Sequence, residues 1–394
     1  MKDKIKLLRI ISTIDPNYGG PVKAIIDNSI ALSNNGFKVD ILTCDSIKSN
    51  FYKSNKLKII NKGPAFFGNF WFSPSLFFWL LKNKKKYDFF IIHGIWDFKN
   101  LVARLLLNKK YSVFVHGSLH PAQKKGFFNR IKKQIYWKLI ERRNLLSSRS
   151  ILLTSSGEEN QIKKTFVKTD GINKTLIQYG ILKTKVDKNS ALKTFYNRFP
   201  YLKNKVFYLY LGRFHEQKAC DIIIQSVYRI KKGFKEKILL MGPISGSQYE
   251  LYIRDLVKKY NLGNQIFFAD AQYGNVKWGA IMASKAMVLP SHGENFGISL
   301  VESLSLGKPV LTTFKVNIYR EILKYKVGLV SRDKTKYFSK ILLKFNSFNK
   351  KKIKDFSKNS LLCFKDNFDL SLNKNSLATY IKNEVENNHS SYKN

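Results

Sequence analysis

One stretch of the chain, Ala286 to Thr313, concentrates residue types that can bind hydroxyl groups and anions. Glu294 lies in a turn-rich segment, and Glu302 lies in a following run whose apolar residues recur at helical spacing. Carboxylates make strong, directional hydrogen bonds to hydroxyl groups. The backbone of Asn295 to Gly297 comes at the predicted amino end of the helix, where free N–H groups favour an anion. On their own, two glutamates at this spacing are equally typical of a solvated helix face.

The same stretch predicts the elements that position these residues. Ala286 to Leu289 is a short apolar run typical of a buried parallel strand, and Pro290 ends it. Gly307 is a helix C-terminal signal, and Val310 begins the next strand. The resulting strand–loop–helix–strand unit places its loop at the carboxyl end of a strand, where open α/β sheets bind ligands.

The whole string from Pro290 to Val310, PSxxExFGxxxxExxxxGxPV, resembles the signature of retaining glycosyltransferases of family four, among the glycosyl transferases group 1. The resemblance implies the GT-B architecture, an α/β fold in which two Rossmann-like domains face each other across a cleft. It also implies that Glu294 contacts the ring of the donor sugar and that Glu302 contacts the ribose of the nucleotide. The backbone N–H groups that would face the sugar or its phosphate are those of Asn295, Phe296, Gly297 and Ile298.

Two cations, Arg213 and Lys218, follow the strand predicted over Val206 to Leu211. Cations in such a place are usually surface charge. By resemblance they correspond to the family's pair that holds the donor diphosphate, and two cations can neutralise a leaving diphosphate without a metal. The family usually has glycine after the lysine, whereas this chain has Ala219, so we expect a slightly different turn. Gly242 matches another turn of the family.

The first half of the chain opens with a predicted strand, Lys6 to Ser12, and a turn that contains Gly19 and Gly20. The turn lacks the GxGxxG fingerprint, and a Gly-Gly pair is an ordinary turn element. The family has a Gly-Gly loop at this place, close to the donor diphosphate and the acceptor. Glycine there would let backbone N–H groups approach an oxyanion closely.

Two histidines come at strand ends in the same half. His93 follows the apolar run Phe89 to Ile92, and His116 follows Val113 to Val115. A histidine just after a buried strand is most often a hydrogen-bonded loop residue. The positions resemble the family's strand-end histidines, of which the second lies by the reactive carbon, and His116 matches that catalytic place best. His120 is the neighbouring alternative.

Composition bounds the class of protein. The 394 residues are 44% hydrophobic, which is ample for two cored domains. The 70 lysines and arginines against 27 acidic residues give a formal charge of +43, which favours anionic partners: nucleic acid, anionic lipid heads or diphosphate-bearing substrates. The three cysteines fit neither a disulfide framework nor a zinc site, which indicates a reducing cytoplasm. No Asp-x-Asp occurs, so we expect neither a metal nor a cofactor beside the nucleotide-sugar.

Membrane contact is predicted only at the surface. No apolar run reaches the ~20 residues of a membrane span, and Met1 to Ile14 is typical of a first strand, not of a signal peptide. Phe66 to Leu81 is rich in aromatic residues and precedes a lysine run, which fits a core helix or a helix at an anionic membrane surface. Phe127 to Leu146 is a basic amphipathic pattern with two interpretations, a solvated face or membrane docking. We expect a cytoplasmic protein, free or peripheral on the membrane.

The element order predicts two domains. The family resemblance implies that residues 1–185 form an acceptor-binding domain, with a terminal helix at about 372–386 packing back on it, and residues 186–371 a donor-binding domain. The polar, lysine-rich segment Leu182 to Asn204 is the predicted linker. Residues 387–394 are predicted to be a disordered tail.

The leading hypothesis is a metal-independent retaining glycosyltransferase that moves a sugar from a nucleotide-sugar to a glycan acceptor, such as a lipid-linked or cell-surface polysaccharide precursor, including lipopolysaccharide. A nucleotide-sugar epimerase or hydrolase on the same fold is the first alternative. A basic nucleic-acid-binding protein is the second. Because the basic residues are scattered along the chain and no known binding module is present, we do not expect a nucleic acid partner.

Overall fold

The computed structural model describes residues 4–52, 55–119, 127–155, 157–159, 162, 169–372 and 376–390. The chain divides into two compact units. The first unit comprises Met1–Tyr179 together with Lys374–Asn394, and the second comprises Gly180–Asn373.

The first unit is built on a seven-stranded parallel sheet with the order β3-β2-β1-β4-β5-β6-β7. Its strands are β1 (Lys6–Ile11), β2 (Lys38–Thr43), β3 (Lys58–Asn61), β4 (Phe89–His93), β5 (Tyr111–Phe114), β6 (Ile151–Leu153) and β7 (Lys174–Leu176). The central strands are buried along their length, as expected of a parallel sheet covered on both faces. The strand order reverses between β1 and β4, and such switch points are where open α/β sheets bind ligands.

Among the described residues, the helices that precede the crossing into the second unit include α1 (Gly20–Asn34), α2 (Pro74–Asn83), α3 (Phe98–Leu106), α4 (Phe127–Tyr136) and α5 (Arg142–Leu146), the last two joined by a π-helical turn at Trp137–Glu141. The start of α2 follows from its sequence, because the Ser73 hydroxyl accepts a hydrogen bond from the Leu76 N–H at 3.2 Å and Pro74 takes the first helical position.

The second unit has a six-stranded parallel sheet with the order β10-β9-β8-β11-β12-β13. Its strands are β8 (Phe207–Leu211), β9 (Lys237–Met241), β10 (Ile266–Ala269), β11 (Met287–Leu289), β12 (Val310–Thr313) and β13 (Gly328–Ser331). Its helices are α6 (Lys188–Arg198), α7 (Cys220–Ile230), α8 (Gln248–Lys259), α9 (Gly274–Ala283), α10 (Ile298–Ser305), α11 (Tyr319–Lys324), α12 (Thr335–Asn346) and α13 (Lys350–Asn367). Here the strand order reverses between β8 and β11.

The predicted linker, Leu182 to Asn204, is wrong over most of its length, because it contains helix α6. Ala191 and Phe195 of this helix are fully buried, and α6 packs against α9. The two backbones approach so closely that a Cβ on Gly279 would lie 2.1 Å from the Ala191 carbonyl oxygen. Two small residues at the contact therefore let a polar-looking segment become part of the second unit.

The boundary between the units lies before the predicted residue 185. The Ile181 N–H donates to the Phe368 carbonyl at 2.9 Å, and the Leu370 N–H donates to the Ile181 carbonyl at 3.2 Å. A Cβ on Gly180 would lie 2.2 Å from the same Phe368 oxygen. These contacts tie Gly180 and Ile181 to the second unit.

The last helix, α14 (Ser376–Ser390), packs on the first unit. Leu377 and Ile381 are fully buried, and the Tyr380 hydroxyl lies 2.7 Å from the Ser112 hydroxyl. The helix begins after the predicted residue 372, and it includes residues 387–390, which were predicted to be disordered. Residues 391–394 lie outside the described chain.

Helix α2 has one buried face and one exposed face, and its predicted contact with a membrane surface stays a prediction. Leu76 and Leu80 are fully buried in the core of the first unit, whereas Phe78 on the other face is 66% exposed. Within the described residues, none of the helices has the length and apolar character needed to cross a membrane.

Candidate active site

An ion pair lies at the switch point of the second sheet, where Lys218 and Glu294 are in direct contact. Lys218 ends a short 3-10 turn after β8, and Glu294 lies in the loop after β11. Both side chains are about four-fifths buried, with relative exposures of 19% and 17%. The sequence placed these two residues in separate motifs, and the pairing of β8 with β11 brings them together.

The loops that carry this pair are joined by further hydrogen bonds. The Gln217 side-chain amide donates to the Gly293 carbonyl at 2.7 Å, and the His292 N–H donates to the Gln217 carbonyl at 2.9 Å. Sequence reasoning missed Gln217, since an isolated glutamine in a turn carries no distinctive signal. These bonds fix the separation of the two charged groups.

Ala219, where the family usually has glycine, keeps a left-handed backbone with φ of 56° and ψ of 46°. It is fully buried, and its N–H donates to the Glu216 carbonyl at 3.0 Å. We expected a slightly different turn here. The chain instead adopts a glycine-like turn with an alanine, at a cost of roughly 1–2 kcal/mol for an L-residue in this conformation.

Arg213 and Gly242 lie at the same edge of the sheet. Arg213 is exposed, and across the described part of the chain its guanidinium is in no ion pair. Its carbonyl accepts a hydrogen bond from the Tyr210 hydroxyl at 2.7 Å, which fixes the backbone. A Cβ on Gly242 would lie 1.9 Å from the Gly212 carbonyl oxygen, so glycine at this position permits the close approach of two strand ends.

The loop of Glu294 is supported by a segment whose role the sequence did not reveal. The Glu294 N–H donates to the Lys315 carbonyl, and the Asn317 N–H donates to the Glu294 carbonyl, both at 3.0 Å. The Asn317 side-chain amide also donates to the Asn295 side-chain oxygen at 3.2 Å. The segment after β12 therefore fixes the backbone on both sides of the carboxylate.

The helix predicted after the Glu294 loop begins where its sequence pattern indicated. Gly297 is the N-cap with φ of 73°, and Ile298 begins the helix. Phe296, however, is buried and makes an edge-to-face contact with Phe368 at 5.6 Å between ring centroids. Its side chain therefore belongs to the core of the second unit.

Glu302 on α10 is 2% exposed and has a partner that the sequence did not reveal. The Lys277 ammonium donates to its Oε1 at 2.6 Å and lies 4.5 Å from the centre of the Trp278 ring. Removing one member of such a pair leaves a buried charge without compensation.

In the first unit, Gly19 and Gly20 form the entrance to α1. Gly19 is the N-cap with φ of 80°, and its N–H donates to the Pro16 carbonyl at 2.9 Å. A Cβ on Gly19 would meet no atom within 4 Å, so backbone conformation rather than space favours glycine here.

His93 and His116 are brought together at the ends of β4 and β5. The Nδ1 of His93 lies 2.9 Å from the Nε2 of His116, and the two rings stack with centroids 5.2 Å apart. His93 is 2% exposed, whereas His116 is partly exposed and has a left-handed backbone with φ of 47°. Burial, together with the positive charges of Arg9 and Lys99, lowers the pKa of His116 to about 3. His120 lies outside the described residues.

Arg9 is the residue of this site that sequence reasoning missed. It lies fully buried in β1, where its Nε–H donates to the Nε2 of His93 at 3.1 Å. Its Nη1 donates to the Ile25 carbonyl at 3.1 Å and to the Ser29 hydroxyl at 2.9 Å. Burial lowers the pKa of Arg9 to about 9. An arginine inside an apolar strand sequence was the available signal.

A second polar group lies at the ends of β1 and β4. Lys99 forms an ion pair with Asp97, and its ammonium donates to the Ser12 hydroxyl at 2.9 Å. The Ser12 hydroxyl in turn donates to Asp97 at 3.0 Å. The switch point of the first sheet is therefore polar, as is that of the second. Over the residues that the structure describes, no group of three or more His, Cys, Asp or Glu side chains is placed to hold a metal ion.

Comparisons with solved structures identify the fold. Sucrose-phosphate synthase from Thermosynechococcus elongatus is similar with a TM-score of 0.76 and 18% identity, over 98% of this chain and 100% of that one. Anabaena Alr3699/HepE in complex with UDP and glucose has a TM-score of 0.72 and 14% identity, over 98% and 100%. WaaG, a glycosyltransferase involved in lipopolysaccharide biosynthesis, has a TM-score of 0.73 and 15% identity, over 95% and 99%. The fold is GT-B, with one Rossmann-like sheet in each unit, as predicted.

Sequence comparison adds the family of the second unit. An uncharacterized glycosyltransferase of Methanocaldococcus jannaschii is 23% identical over 245 residues, 61% of this chain and 57% of that protein. The matches to this and three further uncharacterized glycosyltransferases of the same organism span between 30% and 57% of their lengths. Residues 195–360 match the family model described as glycosyl transferases group 1. The part of the second unit that matches is therefore similar to glycosyl transferases group 1, within a GT-B fold.

Proposed function

We propose that this protein is a metal-independent retaining glycosyltransferase that moves a sugar from a nucleotide-sugar to a glycan acceptor. The observation that carries the proposal is the Lys218–Glu294 pair, a cation and a carboxylate held side by side at the switch point of the second sheet, within the residues that match glycosyl transferases group 1. A nucleotide-sugar needs both, a cation for its diphosphate and a carboxylate for its sugar hydroxyls.

In this proposal, Lys218 and Glu294 exchange each other for groups of the donor when it binds. Before binding, each charged group compensates the other. When the donor binds, its diphosphate pairs with Lys218, and a sugar hydroxyl donates a hydrogen bond to Glu294. Neither charged group is then left buried without a partner. Lys218, joined by the exposed Arg213, then stabilises the negative charge that develops on the departing phosphate. Because two cations serve this leaving group, no metal is required in the scheme.

Retention of the anomeric configuration is proposed from the family resemblance. The leaving phosphate would assist attack of the acceptor oxygen on the face that it vacates. Proton NMR of the product, recorded early in the reaction, reports the anomeric configuration directly, and an inverted product would overturn this part of the proposal. Transfer that persists in EDTA is expected; loss of transfer in EDTA with recovery on Mg²⁺ would overturn metal independence.

The donor is identified by its effect on stability. UDP-, GDP-, ADP- and dTDP-sugars are each added to the protein, and the matching donor is expected to raise the melting temperature, since a ligand of the native state stabilises it by mass action. HepE, a structural neighbour, was solved in complex with UDP and glucose, which makes UDP-glucose the first donor to test. The absence of a shift with every donor would count against a nucleotide-sugar site.

The two alternatives are distinguished by simple incubations. The stabilising donor is incubated with and without extracted lipid-linked glycans. A transferase consumes it rapidly only with the glycans, whereas an epimerase or hydrolase consumes it without them. Tight binding of duplex DNA at physiological salt, unaffected by nucleotide-sugars, would instead favour the nucleic-acid-binding alternative.

For the acceptor, we propose a lipid-linked or cell-surface polysaccharide precursor reached at an anionic membrane surface. WaaG, another neighbour, acts in lipopolysaccharide biosynthesis. In the first unit, α2 packs beside α3, and α3 beside the π-helical turn. These elements carry exposed apolar side chains among lysines, the composition of an interfacial surface: Phe78, Leu81, Leu105 and Leu139.

Vesicle sedimentation tests this surface. The protein is expected to sediment with vesicles that contain phosphatidylglycerol and not with pure phosphatidylcholine. Replacing Phe78 and Leu81 by serine should weaken sedimentation, whereas Leu251→Ser, at an equally exposed position of the second unit, should not. Equal loss in both variants, or no sedimentation of the wild type, would contradict the membrane proposal and leave the donor chemistry untouched.

A further inference from the structure

Arg9, His93 and His116 form one continuous hydrogen-bonded chain in the first unit. A guanidinium has only donors, so the contact of 3.1 Å between Arg9 Nε and His93 Nε2 has one direction. The Nε2 of His93 must accept and therefore carries no proton. A neutral His93 then holds its proton on Nδ1.

The direction of the second hydrogen bond follows from the first. The Nδ1–H of His93 faces the Nε2 of His116 at 2.9 Å, so this nitrogen of His116 accepts. The proton of His116 is therefore on its Nδ1. A charged His116 would need to donate through Nε2 to a nitrogen of His93 that already carries a proton, so the chain is compatible only with two neutral rings.

The surroundings of Arg9 and His93 prevent the hydrogen bonds of this chain from reversing their direction. Arg9 is 0% exposed and is fixed by two further acceptors, the Ile25 carbonyl and the Ser29 hydroxyl. The ring of His93 also packs against the ring of Phe114, with centroids 5.4 Å apart and an interplanar angle of 20°.

The backbone of His116 is also constrained. Its left-handed conformation is followed by Gly117, whose N–H donates to the Glu158 carboxylate at 2.8 Å. Non-glycine residues in this conformation persist only where their surroundings hold them. His116 is partly exposed, and in the described chain its Nδ1 has no hydrogen-bond partner.

We propose that Arg9 and His93 are positioning residues that fix His116 as a neutral hydrogen-bond donor through Nδ1. The inference rests on the proposed function for its substrate: His116 would donate to a sugar hydroxyl, or to charge that develops on a substrate oxygen. It would not act as a general base, because Nε2 already accepts from His93 and Nδ1 already holds a proton.

The electrostatic surroundings agree with two neutral rings. Burial first, and then nearby positive charge, lowers the pKa of both histidines below the ordinary 6.5, to about 3 for His116. The titratable groups that face the pair from neighbouring elements are Arg9 of β1, Lys99 of α3, Tyr179 after β7, and Glu158, which is bound to Gly117.

Nitrogen-15 NMR of ligand-free protein labelled at histidine tests the proposal, since protonated and unprotonated ring nitrogens have widely separated shifts. We expect His93 and His116 to be protonated at Nδ1 alone, with shifts that do not change between pH 5.5 and 8.5. In water, neutral histidine favours the opposite tautomer. An Nε2–H signal from His116, or a titration of either ring near pH 6.5, would overturn the proposal.

Two variants make the causal step testable. His93→Leu removes the donor, and the tautomer of His116 is expected to change. In His93→Asn the side-chain amide can replace Nδ1–H, and the Nδ1–H form of His116 is expected to persist. Ser29→Ala is the matched control, because it removes one hydrogen bond from Arg9 and leaves the chain intact. An unchanged His116 tautomer in His93→Leu would show that the hydrogen bond from His93 does not fix this tautomer.

The readout separates this proposal from the proposed function. Tautomers are measured without substrate. If both rings are in the Nδ1–H form but no glycosyl transfer is detected, the proposed function is rejected, whereas the hydrogen-bonded chain is established. If His93→Leu does not fold, His93→Asn and the pH series of the wild type still decide the outcome.

Discussion

The switch points of the two sheets stabilise their buried polar groups in different ways. In the second unit, buried charges are paired directly: Lys218 with Glu294, and Lys277 with Glu302. In the first unit, Lys99 is also paired with Asp97, but the histidines are uncharged, and the buried Arg9 is held by neutral acceptors. Paired charges can be exchanged for those of a ligand, whereas a neutral chain fixes the direction of a hydrogen bond. Under the proposed function, the second unit would hold the charged donor and the first unit would orient a polar contact.

The largest expected effect comes from removing either member of the Lys218–Glu294 pair. Lys218→Ala and Glu294→Ala should each lower transfer by at least about a hundredfold, since an electrostatic group aimed at developing charge is worth about 10²–10³ in kcat. Initial rates with the stabilising donor measure the loss. Lys237→Ala, at the opposite end of β9, is the matched control and should retain wild-type rates. Full activity in either site variant would contradict the assignment.

The next largest effect is expected at the second pair. Lys277→Met leaves the buried Glu302 carboxylate without its cation, which should reduce the free energy of unfolding by about 3–5 kcal/mol. Urea denaturation measures the change. The double variant Lys277→Met with Glu302→Gln should recover much of the loss, because neither charge remains. A single variant as stable as the wild type would mean that the pair is not buried in solution.

The first unit offers a carboxylate for contrast, Glu141 at the π-helical turn. It is fully buried, its Oε2 accepts from the Asn144 amide at 3.4 Å, and burial raises its pKa from 4.5 to about 8. Because the folded-state pKa lies above the unfolded one, the stability due to the protonated form is complete below pH 4.5 and is lost as the pH rises through 8.

Glu141→Gln should therefore make stability less dependent on pH. Unfolding free energies at pH 5 and pH 8.5 are compared for both proteins, and the wild type is expected to lose more between the two. Equal pH dependence of stability in wild type and Glu141→Gln would show that folding does not raise the pKa of this carboxyl group.

The smallest expected effect sharpens the comparison at the Lys218 turn. Ala219→Gly removes the left-handed strain and should raise the free energy of unfolding by roughly 1 kcal/mol, partly offset by the greater entropy of glycine in the unfolded chain. Thermal melts measure the change. A destabilised variant would mean that the packing of the alanine methyl group outweighs its backbone strain.

The sequence predicted the parts of the site that are contiguous along the chain. The strand, loop and helix around Glu294 agree closely with β11, the loop after it and α10, because local turn and helix signals determine them. The partners that come from distant segments were not predicted. Lys277 lies on another helix, and Lys315 to Asn317 follow another strand. Only the folded sheet brings these segments together.

Two misses have a different cause. Helix α6 looked like a linker because only Ala191 and Phe195 mark its buried face, and their significance depends on the contact with α9. Arg9 was visible as an anomaly in an apolar strand. Its meaning required the knowledge that β1 and β4 are neighbours, with Arg9 aligned to Ile91 and its side chain reaching His93.

Phe296 illustrates what a signature sequence records. Its ring packs on Phe368, near the end of the second unit, while its backbone belongs to the loop of Glu294. That letter of the motif therefore encodes the support of the loop and not contact of a side chain with the substrate. Among related sequences the two positions should vary together, a large residue at one compensating a smaller residue at the other. Exchanging donor specificity between relatives by grafting this loop would then succeed only when the residue at position 368 is transferred with it.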